Sequence, residues 1–547
     1  MGNSLETNAF NLCASIARGF LSHPANEIDA SSLDLLHQTS LRVLFIVMIT
    51  LYLEENNLLD NSAEFRENLG IYGLREDIEK NRRGYCGKRL KLIKRIRGTI
   101  ERVFSPSGFC APFKARIFNP ENQANKPIFK WKIFDGDVID SLKELFSIWA
   151  HPGSSLMSWK PPDIAEIMDI YSYLLDSEPR LAESDVVVLN NGKRVLDVRE
   201  AHPGDIRRGR IIKKGNVVYE MVKGKSRKSG TVYTPDEIVN KIVERTLGPL
   251  NENPLRVLDP SCGTGRFLSG ALDYLIEQKK RGSVEEIRKI ISDSIFGVDQ
   301  DRIAVELAEV HLMLRTHRLD NPAPELKSNL FVGDTLKGVD SYFIRGLLQS
   351  DGDVEKAIDD RPQTTFDEIR WKPVWQHLLN CENRNEKANE LASIYDLFID
   401  YLNNENADFK ELKMDFQRKL VNFPNSASNH DYRDIENFHQ EVNFPFLFYG
   451  LNGDVLPDGG FDAVIGNPPY GDILDAESKK LIQKLGYKSG GGGNNDIFRF
   501  FVERGLKLLK KGGMLGFILP NTYLKGKKYR NFRKRVVEMS CPEEILD

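Results

Sequence analysis

Cysteine is scarce. Six occur in 547 residues, at Cys13, Cys86, Cys110, Cys262, Cys381 and Cys541. They form no CxxC pair and no histidine stands at a metal-ligand interval, which excludes a disulfide scaffold and a structural zinc site; no metal is expected. Long hydrophobic runs are lacking too. The longest, Val43–Leu53, is bounded by Arg42 and by Glu54 and Glu55, and falls well short of the ~20 residues that span a bilayer. It reads as a buried core helix. The opening MGNSLE has no apolar signal region, and Glu6 stands where a myristoylation pattern requires Ser or Thr, so the expected location is the cytoplasm. Nor is there an excess of either charge. Lys and Arg number 76 against 79 Asp and Glu, a net charge of −3, so any polyanionic partner must be met by local basic clusters. No internal repeat is present, and a hydrophobic content of 41% against 28% charged residues describes a globular chain of several domains.

Residues 1–180 have helical periodicity, clear at Leu33, Leu36 and Leu41–Leu53, at Val138–Trp149 and at Ile164–Leu175, and are expected to form a helical domain. Within it Lys88, Arg89, Lys91, Lys94, Arg95 and Arg97 interleave with Leu90, Leu92, Ile93 and Ile96. This is either the solvated face of an amphipathic helix or a phosphate-contacting surface. Residues 181–228 change to a β period. Asn191-Gly192 between two β-branched runs signals a hairpin, and RIIKKGNVVYEM reads as a second. Arg207, Arg208, Arg210, Lys213, Lys214, Lys223, Lys225, Arg227 and Lys228 make this connector basic; it faces DNA or is a solvated linker. From residue 229 to 340 strands and helices alternate as βαβαβ, with helices expected over Pro235–Leu247, Phe267–Lys280 and Arg302–Arg315, the pattern of a doubly wound parallel sheet. Residues 341–440 interrupt it with helical, Asn-rich sequence at Trp371–Leu379, Asn389–Tyr401 and Phe409–Leu420. The sheet resumes over 441–547 with FDAVIGNPPYG, a helix Ile497–Leu509, a KKGG turn and the strand MLGFILP.

Four motifs fall at the carboxyl ends of these strands, where open α/β sheets place their ligands. In DPSCGTGRF, Asp259–Phe267, Gly263 and Gly265 permit close backbone approach to a ligand and the next helix offers its N-terminal amides. The turn lacks the GKS or GKT of a nucleoside triphosphatase and the GxGxxG of a dinucleotide site. GVDQD puts Asp299 where it can accept from two ribose hydroxyls. VGDTL puts Asp334 where it suits a purine exocyclic amine. Taken singly, either acid could instead cap a helix. GNPPYG then places Asn467, Pro468, Pro469 and Tyr470 after the buried strand FDAVI, with two prolines fixing an extended backbone.

Together these blocks resemble the amino-group methyltransferases that use S-adenosylmethionine, and in their order the gamma class of N6-adenine DNA methyltransferases of restriction-modification and related phage-defence systems. The resemblance implies a Rossmann-like methyltransferase sheet, preceded by the helical N-terminal domain and interrupted by the helical insert. It implies a cofactor site formed by Tyr233, Thr234, Pro235, Asp259, Pro260, Cys262, Gly263, Gly265, Phe267, Asp299, Gln300, Asp334, Thr335 and Asn467. Of these, Phe267 is as readily a core residue. Catalysis is assigned to Asn467, Pro468, Pro469 and Tyr470, with Tyr470 stacking on a target base taken out of the duplex. The loop Ser489–Gly493 is either a lid over that base or a connector.

Lys525, Lys527, Lys528 and Arg530, followed by Arg533, Lys534 and Arg535, are expected to face DNA phosphates, although a solvated helix face reads similarly. At Asp547 the family would continue with a last hairpin, another aromatic and a target-recognition domain. A second protein chain, or further polypeptide, is therefore expected to supply target recognition. The most tempting nuclease-like acid-x-Lys, Glu411-Leu412-Lys413 after Asp408, sits in a helical pattern with the wrong spacing, so no nuclease is expected in this chain. Two alternatives stay open: a non-catalytic DNA- or cofactor-binding scaffold of a defence complex, and amino-group methylation of RNA or of protein glutamine.

Overall fold

A computed structural model of the chain describes residues 5–59, 70–71, 73–74, 91–104, 113–148, 164–190, 192–221, 234–251, 254–278, 282–317, 326, 329–340, 343–344, 347–348, 350, 352, 371–381, 384–404, 407–423, 437–490 and 496–545. Two compact units divide it: Met1–Ser226 with Glu309–Pro324, and Arg227–Ala308 with Glu325–Asp547.

The first unit contains the helices Leu5–Ser22, Leu33–Glu55, Lys91–Phe104, Asp135–Ile148 and Ile164–Leu174. The apolar run lies in Leu33–Glu55, where every residue from Leu41 to Leu51 is buried. The span Ala30–Glu55 is long and apolar enough to cross a membrane, but 78% of its most apolar window is covered by protein. A helix apolar on all sides belongs in a core. Two of the six cations in the basic segment are engaged within the protein, while Lys94 is exposed. Arg95 donates to the Gly70 carbonyl at 2.7 Å, and Arg97 donates to the carbonyls of Ile128 and Trp131 at 2.8 and 2.6 Å. Lys88, Arg89 and the Lys91 side chain lie outside the described residues.

Among the described residues this unit also has five short strands: β1 Ser177–Leu181, β2 Val186–Leu189, β3 Arg194–Asp197, β4 Arg210–Ile212 and β5 Val217–Met221. The expected β2–β3 hairpin forms. The second hairpin does not: β4 pairs with β2, and β5 pairs with β1, a strand not legible in the sequence because it carries Pro179. The turn between β4 and β5 explains the divergence. Gly215 N donates to the Ala182 carbonyl at 2.8 Å and Ala182 N donates to the Asn216 carbonyl at 2.9 Å, so the turn is held by the β1–β2 connection instead of closing on itself.

The second unit is built on one parallel sheet of β6 Val257–Asp259, β7 Ile295–Asp299, β8 Leu330–Val332, β9 Phe461–Gly466 and β10 Leu509–Phe517, in the order β10-β9-β6-β7-β8. This is the doubly wound arrangement: the chain runs outward from β6 through β7 to β8, then returns to β9 on the other side of β6. The helices Asp236–Leu247, Arg266–Gln278, Arg302–Leu314 and Phe498–Leu508 agree with the sequence within two residues, and Val284–Ser294, opened by a Ser283/Glu286 capping box, is additional. Lys510–Gly513, expected as a turn, lie inside β10; the extra residues are absorbed as a register irregularity between Leu509 and Met514.

The insert contains the helices Trp371–Asn380, Arg384–Asn403 and Phe409–Asn422, with a core of their own in which Trp375 stacks on Tyr449 at 4.2 Å. Its return segment also builds the sheet's core. Phe444 meets Phe296, Phe331 and Phe461, one residue from each of three strands, edge to face at 5.3, 5.1 and 5.4 Å. Such pairs add to the area they bury, and truncating a core Phe costs about 3–5 kcal/mol. Phe444→Ala is expected to lower the urea midpoint of the second unit by a corresponding amount, measured by tryptophan fluorescence. An unchanged midpoint would show that the return segment carries little of the core.

Candidate active site

In this sheet the topological switch point lies between β6 and β9, which leave their carboxyl ends in opposite directions. Asp259 ends β6 and Asn467 follows β9. Their closeness depends on Gly466. A Cβ there would stand 2.6 Å from Asp259 Oδ1, and the φ of +152° is one that side chains rarely adopt, so only glycine lets β9 lie against that carboxyl.

The DPSCGTG turn is held by the neighbouring strand. Cys262 N donates to the Val298 carbonyl at 2.9 Å, and Gly263 N donates to Asp299 Oδ2 at 2.9 Å. Gly265, with φ +83°, packs so closely that a Cβ would meet the Ala308 Cβ at 3.0 Å. At Gly263, by contrast, a Cβ would meet nothing within 4 Å. The turn is clamped from behind and open in front.

Asp259 is 1% exposed, and Ser261 N donates to its Oδ1 at 3.0 Å. Burial pushes its carboxyl up to about 8, and the neighbouring charge of Asp299 adds to the shift. Burial likewise pushes Asp299 up to about 6. Burial thus disfavours the charged form of both acids, a penalty that a cation placed beside them would offset. Asp299 Oδ1 also accepts from Asp301 N at 2.9 Å, and each oxygen retains a second lone pair for a hydroxyl donor.

The predicted residues do not all play the same part. Thr335 is 2% exposed and donates to the Pro260 carbonyl at 2.6 Å, a strut behind the turn. Asp334 accepts from Leu336 N at 3.0 Å and pairs with Lys337 at 3.3 Å, while its backbone bridges to Asn437. It shapes its own turn, and no helix begins there among the described residues. Phe267 is 3% exposed in the helix Arg266–Gln278, and Gln300 is exposed. Tyr233 lies outside the described residues.

Asn467 is joined to the segment that opens this unit. Its Nδ2 donates to Thr234 Oγ1 at 3.0 Å, across 233 positions of sequence. That contact orients the amide, leaving Oδ1 as the acceptor. Tyr470 donates its hydroxyl to the Ile518 carbonyl at 2.9 Å and also contacts Asn467 Oδ1. One hydroxyl hydrogen serves one acceptor at a time, and the Ile518 carbonyl and Asn467 Oδ1 both lie within its reach. Burial raises the Tyr470 hydroxyl above its ordinary range, keeping it protonated. Its ring lies edge-on to Phe498 at 6.4 Å.

Sequence reasoning missed two buried or part-buried acids near this loop. Asp496 accepts from Gly471 N at 2.5 Å. Glu503, 1% exposed, accepts from Lys488 N and Ser489 N at 2.9 and 2.8 Å, anchoring the start of the Gly-rich stretch, of which 491–493 lie outside the described residues. An acid beside a glycine run was the only signal. In the basic segment Lys525, Lys527, Lys528 and Arg530 are exposed. The three cations after them are engaged: Arg533 donates to the carbonyls of Tyr523 and Gly526, Lys534 pairs with Glu538, and Arg535 pairs with Glu503 and Glu538.

Comparison with known proteins adds independent findings. The N-6 DNA methylase family model matches residues 217–341, and the Eco57I restriction-modification methylase model matches 293–547. RM.MjaORFECS2P of Methanocaldococcus jannaschii is 27% identical over 412 residues, 58% of this chain and 34% of that one. The type II restriction enzyme and methyltransferase RM.Eco57I of Escherichia coli is 37% identical over 91 residues, 15% of this chain and 9% of that one. The adenine-specific methyltransferase PglX of Streptomyces coelicolor is 21% identical over 339 residues, 59% of this chain and 21% of that one. This chain thus spans at most 34% of the length of these relatives. The two matched spans together hold every motif that forms the site, so residues 217–547 are similar to the N-6 DNA methylase and Eco57I restriction-modification methylase families.

Proposed function

We propose that this chain transfers a methyl group from S-adenosylmethionine to the N6 amine of adenine in DNA, as the modification component of a restriction-modification or phage-defence system. The observation that carries the reading is the Asn467 amide, oriented by Thr234 and set at the switch point beside Asp259. The open front of the Gly263 turn and the two raised acids fit this cofactor, whose ammonium and sulfonium are cationic and whose ribose offers hydroxyls. Thr234 and Pro235 would hold the methionine end, Asp299 the ribose and Asp334 the adenine. When bound, S-adenosylmethionine supplies an electrophilic methyl on sulfur.

The adenine amine is a poor nucleophile because its lone pair is delocalised into the ring. Asn467 Oδ1 and the Pro468 carbonyl would accept its two N–H hydrogens, favouring the pyramidal geometry in which the lone pair is available. Pro469 fixes the extended backbone that aims both acceptors one way. Tyr470 would turn its ring onto the extruded base, recovering part of the few kcal/mol that unstacking costs. As nitrogen gains carbon it sheds a proton through these acceptors to solvent. Lys525, Lys527, Lys528 and Arg530 would contact phosphates. Recognition of the DNA sequence is assigned to a second protein chain or to further polypeptide, and the reaction to the cytoplasm, where the DNA is.

Three outcomes test this reading. Asn467→Ala should reduce transfer of labelled methyl to unmethylated DNA by about a hundred-fold or more while cofactor affinity changes little. Retained transfer would exclude the amide from catalysis.

The second concerns pH. A carboxyl raised on folding contributes stability that is complete below its ordinary value near 4 and is lost as pH rises through about 6 for Asp299 and about 8 for Asp259. A bound cation reverses that penalty. Calorimetric affinity for S-adenosylmethionine should therefore rise between pH 6 and 7.5, by up to about ten-fold per unit, and Asp259→Asn should flatten the profile and weaken binding at pH 7.5. A flat wild-type profile would remove Asp259 from the cofactor site.

Replacing Lys525, Lys527, Lys528 and Arg530 with Ala should lower the salt dependence of DNA affinity, the logarithmic slope falling by up to about 0.9 for each phosphate that the segment neutralises in the wild type. An unchanged slope would make the segment a solvated face.

A further inference from the structure

Asp496 divides its carboxylate between two segments. Oδ1 accepts from the N–H of Gly471, the residue directly after Tyr470, at 2.5 Å. Oδ2 accepts from the Tyr529 hydroxyl at 2.9 Å. The Gly471 carbonyl accepts from Ile497 N at 2.9 Å, so both polar groups of that glycine are held by the Asp496-Ile497 step. Tyr529 is 2% exposed, yet its neighbours Lys528 and Arg530 are at the surface, and the Lys528 ammonium lies 5.0 Å over its ring. A second contact runs in parallel: the rings of Tyr529 and Phe498 are 5.8 Å apart, and those of Phe498 and Tyr470 are 6.4 Å apart.

We propose that Asp496 is a positioning residue that couples phosphate contact at Lys525–Arg530 to the geometry of the Asn467–Tyr470 turn, through the Tyr529 hydroxyl. The proposal rests on the reading of this site as that of a DNA methyltransferase. Its physical basis is that Tyr529 cannot move independently of the two cations that flank it. Its buried hydroxyl is costly to leave unpaired, so Asp496 follows it. Asp496 in turn holds the peptide that ends the catalytic turn. A displacement of order 1 Å at the reacting groups changes a rate by up to about a hundred-fold, so a small shift transmitted this way controls turnover. DNA engaged at the basic segment would thereby tighten the turn before the base arrives, and cofactor bound without DNA would meet a turn not yet set.

The test uses the full chain, together with any chain that completes target recognition, with saturating S-adenosylmethionine and an unmethylated DNA duplex. Hydrogen–deuterium exchange of the peptide containing residues 467–471 is measured with and without duplex, in wild type, Tyr529→Phe and Asp496→Asn. Tyr529→Phe keeps the ring and removes only the hydroxyl, so it guards against simple misfolding. The expected result is that duplex slows exchange of this peptide in wild type, that both variants lose this DNA-dependent change, and that both still bind duplex within about two-fold of wild type, with kcat about ten-fold lower at little-changed KM for DNA. A merely structural role would alter exchange equally with and without duplex. Equal slowing in Tyr529→Phe and wild type, or no slowing in a wild-type chain that binds DNA and transfers methyl, overturns the coupling alone. A wild-type chain that binds no DNA, or whose transfer survives Asn467→Ala, overturns the methyltransferase reading and the coupling with it.

Discussion

The approach of β9 to β6 at Gly466 is the constraint on which the site depends. Without a side chain there, the end of β9 lies against the Asp259 carboxyl, and the Asn467 turn begins beside the cofactor half of the sheet. Any larger residue would force the two strands apart at their carboxyl ends, and with them the groups that must meet for a methyl transfer. The same closeness buries Asp259, which is why its carboxyl is raised. Geometry and electrostatics here have one cause.

Around that contact the chain is tied by bonds between residues far apart in sequence. Thr234 fixes the Asn467 amide, Thr335 supports the Pro260 peptide, and Phe444 closes the sheet face formed by Phe296, Phe331 and Phe461. The segment that returns directly from the insert therefore builds the sheet's core. Its helix Arg384–Asn403 provides Asp396, which accepts from Asn437 and pairs with His439 at 2.9 Å, and so holds the segment that bridges to Asp334.

Much of this was legible in the sequence because it is written locally. Helical periodicity located the Arg266–Gln278 and Arg302–Leu314 helices, the Asn191-Gly192 pair located the β2–β3 hairpin, and the glycines and prolines of DPSCGTG and GNPPY marked the turns that end β6 and β9. What stayed hidden depends on partners distant in the chain. The two sides of RIIKKGNVVYEM carry β signals that do not reveal that β4 and β5 choose different neighbours. Lys510–Gly513 has turn composition, and only pairing with β9 draws it into a strand. A single sequence also does not show that Thr335 supports the Pro260 carbonyl or that Asp334 accepts from Leu336 N within its own turn. Asp496 is one acid among many until Gly471 and Tyr529 are placed on either side of it.

The central claim is that the acceptors at the end of β9 activate a purine exocyclic amine. The most direct measurement is nucleoside mass spectrometry of unmethylated DNA incubated with the full chain and S-adenosylmethionine, together with any chain that completes target recognition. The account predicts N6-methyldeoxyadenosine as the product. Methylation found only at cytosine N4, or only on RNA or protein, would contradict it.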